Sequence, residues 1–83
     1  MQSIAMQDLI NIIIYKLREI NFVVKISNGC DLHVFDKIGL VCQVSFCKND
    51  ILLAAPANAI YIDYSDLDID DMTNIIKQAR VNR

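Results

Sequence analysis

The sequence predicts an α+β fold: an N-terminal helix, an antiparallel meander of three to five strands and a C-terminal helix, with both helices on one face of the sheet. Three observations carry this expectation. Apolar residues recur at spacings of three and four near each end of the chain, they alternate with polar residues through its middle, and short clusters rich in Asn, Asp, Gly and Lys punctuate the alternating runs. With 83 residues, the chain has material for a single domain spanning residues 1–83. It is 54% hydrophobic and 22% charged, which excludes a disordered segment and supplies more apolar side chain than so small a core readily absorbs. Some of that apolar surface is therefore expected to serve a partner.

The first helix is expected over residues 3–20. Met6, Leu9, Ile10, Ile13, Ile14, Leu17 and Ile20 share one face at the helical period, the mark of a core-facing stripe. The opposite side carries Ile12 and Tyr15, with Ile4, among Asp8, Asn11 and Glu19. Core packing gives no reason for apolar groups there, so Ile12 and Tyr15 are candidate contact residues; the plainer reading is that they are ordinary exposed apolar side chains, which every folded surface carries.

From Phe22 the period changes to two. Phe22, Val24 and Ile26 alternate with Val23, Lys25 and Ser27 up to the turn signal Asn28-Gly29. A two-residue turn there would set Asp31 and His33 on the apolar face. A three-residue loop over 27–29, with Gly29 in the left-handed position, instead pairs Ile26 with Cys30, Val24 with Leu32 and Phe22 with Val34. Lys25 then faces Asp31, and Val23 faces His33, on the outer side. Residues 36–39 read as a second turn, after which Leu40, Cys42, Val44 and Phe46 alternate with Val41, Gln43, Ser45 and Cys47 in a third strand. Lys48-Asn49-Asp50 closes a further hairpin; a fourth strand over 51–55, a bend at Pro56 and a short fifth strand over 60–63 follow. Ala54, Ala55, Ala57 and Ala59 read alternatively as marks of close approach to a helix or to another subunit.

The last helix is expected over residues 69–81, with Met72, Ile75, Ile76 and Ala79 at helical spacing. Asp68 is placed to cap it, while Asp70 and Asp71 complement the positive end of its dipole and Lys77, Arg80 and Arg83 the negative end.

Several chemistries are disfavoured. Eight Lys and Arg against ten Asp and Glu leave a net charge of −2, with no cationic excess to displace counterions from a phosphate backbone, so direct nucleic-acid binding is not expected. No apolar run approaches the roughly 20 residues of a membrane span. Three cysteines without a CxxC pair do not make a secreted disulfide framework, and no basic segment precedes an apolar one near Met1; the expected compartment is the reducing cytoplasm. Cys30, His33, Cys42 and Cys47 have the atoms for tetrahedral zinc. In the register above, however, Cys30 and Cys42 face inward while His33 and Cys47 face outward, so neither metal nor other cofactor is expected. The single histidine lacks a partnered nucleophile, and Gly29 and Gly39 are both accounted for by turns, so an enzyme is not expected either.

The most distinctive local feature is the acidic run Asp63, Asp66, Asp68, Asp70 and Asp71, interleaved with Tyr61 and Tyr64. Helix capping and a solvated loop explain Asp68, Asp70 and Asp71 without a partner. The functional reading is a docking surface for an Arg/Lys-rich groove, with Tyr61 or Tyr64 as an aromatic anchor. Five carboxylates are too few to copy a long duplex, but they suffice to block a few phosphate-binding arginines on another protein.

In size, acidity and order of elements the chain resembles small phage or mobile-element inhibitor proteins of the anti-CRISPR type. That resemblance implies inhibition of a larger protein or complex by steric occlusion, in the host cytoplasm if the chain is phage-encoded, through Asp66, Asp68, Asp70 and Asp71 or through Ile12 and Tyr15. The competing expectation is a homodimer or higher oligomer that buries Ile12, Tyr15 or an open sheet edge.

Overall fold

Leu9, Ile10, Ile13, Ile14 and Leu17 form the buried stripe of α1, Met6–Glu19. The computed structural model describes residues 5–28, 31–56 and 58–81; Ile4, Gly29, Cys30, Ala57 and Arg83, on which parts of the sequence reading rest, lie outside them. The helix stops at a left-handed residue. Asn21 has φ 73°, its N–H donates to Arg18 O at 3.1 Å, and the N–H of Phe22 reaches back to Leu17 O at 3.1 Å. These two reverse bonds satisfy carbonyls that the helix end would otherwise orphan, and they turn Phe22 into the core. Met6, expected on the core face, is 43% exposed because it sits in the first turn, at the rim of the packed stripe.

Five strands follow: β1 Val23–Ser27, β2 Asp31–Phe35, β3 Leu40–Phe46, β4 Asp50–Ala54 and β5 Ala59–Asp63. They lie in chain order, each antiparallel to the next. The first hairpin departs from the expected register. Ser27 pairs with Asp31, Ile26 with Leu32 and Val24 with Val34, so Lys25 faces His33 and Val23 faces Phe35. β1 ends at Ser27 and β2 begins at Asp31, and Asn28 after β1 takes a left-handed position with φ 55°. The shift is by two, which leaves every side chain on its expected face, and alternation of period two is blind to such a shift.

A second correction lies in β3. Val34 pairs with Cys42 but Phe35 with Leu40, so Val41 is an extra residue in the ladder. This bulge turns Val41 and Cys42 both into the core and leaves Leu40, expected inside, 43% exposed on the outer face. The turn before it is held by the Asp36 carboxylate, which accepts from the N–H groups of Ile38 and Gly39 at 2.8 and 3.1 Å. Gly39 sits there at φ 149°, a conformation that L side chains rarely adopt.

The chain closes with α2, Ile69–Val81. Met72 and Ile76 are fully buried and join the stripe of α1 in one apolar cluster with Val24, Leu32, Val34, Val41, Val44, Ile51 and Leu53 of the sheet. Both helices therefore cover the same face. The Arg80 guanidinium lies 5.0 Å from the Phe22 ring centroid, which ties the end of α2 to the corner between α1 and β1. Ile26 shares the inner face but is 55% exposed, on an edge strand beyond the cover of the helices. No helix of the described residues is long and apolar enough to cross a membrane.

Because the α1 exit depends on one left-handed residue, Asn21→Ala should destabilise the fold by about 1–2 kcal/mol while Asn21→Gly should not. The check is the urea midpoint, which should fall for the alanine variant with an unchanged slope.

Candidate functional site

The acidic run begins where β5 ends. One oxygen of Asp63 accepts from the N–H of Ser65 at 2.9 Å and from its hydroxyl at 2.8 Å, and these bonds hold the carboxyl below the usual carboxylate range. The chain then makes one 3₁₀ turn, Tyr64–Asp66. The Tyr64 hydroxyl donates to Cys47 O at 2.7 Å, and its ring packs against the core. Burial, with Cys47 and Asp50 beside it, raises the pKa of this phenol. Tyr64 is thus committed within the fold, pinning the 3₁₀ turn to the end of β3, whereas Tyr61 is 66% exposed on the opposite face of the sheet from the helices.

Asp68 caps α2 as its position suggests. Its carboxylate accepts from the N–H groups of Asp70 and Asp71 at 2.9 and 3.2 Å. Asp70 pairs with Lys16 of α1 at 3.7 Å, an exposed contact worth little in energy. It is informative about position all the same. Lys16 lies one turn beyond Ile12, so the pair sets Ile12, 38% exposed, beside the acidic start of α2, while Tyr15, 65% exposed, lies a further step round the helix. The carboxylates of Asp66 and Asp71 make no hydrogen bond or ion pair with any described residue. Capping and internal pairing thus occupy Asp63, Asp68 and Asp70 and leave Asp66 and Asp71 to solvent.

On the other side of α2 runs a groove of about 740 Å³. Leu53 and Ile60 line it from β4 and β5, Ala55 and Pro56 from the turn between them, and Ile75 and Ala79 from α2, with Cys42 at its floor; Asp71, Asn74 and Gln78 form a polar lip along the helix. Its volume lies in the range of ligand and anchor pockets. Sequence reading did not assemble it. The available signal was the run of small residues around Pro56, of which Ala55 and Pro56 line the groove beside α2.

Of the four candidate zinc ligands, Cys30 lies outside the described residues and the other three stand apart. Cys42 is buried on the inner face, and burial pushes its thiol pKa up to about 12. His33 lies on the outer face between Lys25 and Gln43, and Cys47 is exposed after β3. Among the described residues no three His, Cys, Asp or Glu side chains gather closely enough to hold a metal ion.

The chain matches no protein-family model, and comparison with curated proteins and with solved structures gives no significant match.

Two outcomes test this geometry. Asp68→Ala should cost about 1 kcal/mol by removing the α2 cap, whereas Asp66→Ala should leave thermal stability unchanged. In the native protein at neutral pH, Cys47 should alkylate readily with iodoacetamide and Cys42 only on unfolding, as read by peptide mass spectrometry.

Proposed function

We propose that this chain is a small non-catalytic protein-binding module that inhibits or regulates a larger partner by occupying its surface, in the manner of the phage and mobile-element inhibitors it resembles. The observation that supports this reading is the place of the acidic run. The start of α2 stands between an apolar groove, whose lip includes Asp71, and the apolar stripe of α1, reached through Lys16 and Asp70. Apolar area gives affinity while the uncommitted carboxylates of Asp66 and Asp71 select a basic surface. The partner suited to this face presents an apolar anchor flanked by lysine or arginine. A phosphate-binding surface of a nucleic-acid-handling complex has such chemistry, and the module would then act by denying that surface to its ligand.

Asp66→Lys combined with Asp71→Lys spares the α2 cap and the Tyr64 pin, so the fold should survive as judged by circular dichroism. In affinity capture from cells that express the chain, the protein retained by the wild type should be lost from the double variant and weakened by Tyr15→Ser. Equal retention by all three would remove the acidic face as the contact.

A further inference from the structure

The face of the sheet turned away from the helices carries, between the apolar row Val23, Phe35 and Leu40 at one end and Asp50 and Asp63 at the other, two adjacent central rows of side chains. Strand pairing sets Lys25, His33, Gln43, Ala54 and Ala59 side by side from β1 to β5 in one row. Ser27, Asp31, Ser45, Leu52 and Tyr61 stand in the same strand order in the next. Column by column, each member of one row is the complement of its neighbour in the other. A cation stands beside a hydroxyl, an imidazole beside a carboxylate, an amide beside a hydroxyl, and two alanines beside a leucine and a tyrosine.

A two-fold axis lying in the plane of this face, across the strands and between the rows, turns the first row of one copy onto the second row of another. Isologous contacts require this kind of self-complementarity. We propose that the chain forms a homodimer by packing the open face of its sheet against the same face of a second copy. His33 then lies against the partner's Asp31, and Tyr61 and Leu52 fill the space over the partner's Ala59 and Ala54.

The charges on the face favour a second copy over a foreign protein. Within the two rows the one Lys and the one Asp leave no net charge and His33 meets the partner's Asp31, so these rows set up no single-sign field to select a partner of opposite charge. The other acids of the face, Asp50 and Asp63, stand in the last row, which the axis sets over the partner's β4–β5 turn, where the described residues Pro56 and Asn58 are uncharged. Size agrees with charge. Tyr61 is 66% exposed in the single chain, and large side chains of one face meeting small ones of the other is how stacked sheets interdigitate. The alanines at 54 and 59 thereby take the role of close approach to another subunit. Five strands of this length present roughly 400 Å² of projected face per copy, which places the contact in the weak, reversible class. The helical side, with α1 and the start of α2, stays free, so this contact and the partner-binding reading above stand or fall separately.

Sedimentation velocity of the full chain, from low to high micromolar concentration, tests the proposal. A concentration-dependent dimer is expected. Tyr61→Lys and His33→Asp should each weaken it about tenfold or more, the scale of losing a central interface side chain. The exchange His33→Asp with Asp31→His should restore it, since it returns the same pair with its members swapped, and Tyr15→Ser should leave it unchanged. A monomer throughout the range would overturn the proposal. A dimer that survives both single variants, or one lost with Tyr15→Ser alone, would equally do so by placing the contact elsewhere; circular dichroism of each variant confirms the fold.

Discussion

Two helices must cover five strands, and the geometry of that match shapes the rest of the molecule. A pair of packed helices spans about 20 Å and five strands about 24 Å, so the cover is nearly but not wholly sufficient. Where it suffices, Leu17, Leu32, Val34, Val41, Val44 and Ile51 lose all contact with solvent. Where it falls short, Ile26 stays exposed at the β1 edge and a groove opens between α2 and the β4–β5 turn. The surplus of apolar side chain in the composition is found at these two places, on the outer stripe of α1, on the outer face of the sheet and at Ile38 in the β2–β3 turn.

The same constraint explains where polar groups are spent. Asp36, Asp63 and Asp68 each accept bonds from backbone N–H groups two or three residues ahead, at a hairpin turn, at the strand-to-helix junction and at the start of α2. In so small a core, such local bonds fix the entry angles of elements that packing alone would hold loosely. Part of the acidic run is therefore architecture, and what remains for recognition is narrower than its charge count suggests. Position narrows it to Asp66 and Asp71, whose carboxylates make no bond or ion pair among the described residues and have apolar surface on either side.

The division of the molecule into a helical side and a sheet side gives it two independent surfaces. One is acidic and flanked by apolar groups; the other is mixed in charge and matched to itself. A dimer formed through the sheet would present two copies of the helical side facing outward, and a partner with repeated sites would gain avidity from the arrangement without any new contact.

Much of this was legible in the sequence, because helical and strand periodicities are local and each residue's face follows from counting. The order of elements, both helix stripes, the α2 start at Asp68 and the exposure of Ile12 and Tyr15 all follow in that way. The register of the first hairpin did not, since alternation is unchanged by a shift of two and nothing in the spacing distinguishes the two pairings. The bulge at Val41 was equally hidden, because an extra residue is visible only against the strand it fails to pair with. Tyr64 reads like an exposed anchor until the end of β3 is brought to its hydroxyl. The groove and the paired rows of the outer face join residues from distant parts of the chain. Local spacing determined what each element is; only the packing of helices on a twisted sheet decided which side chains meet and which surfaces stay open.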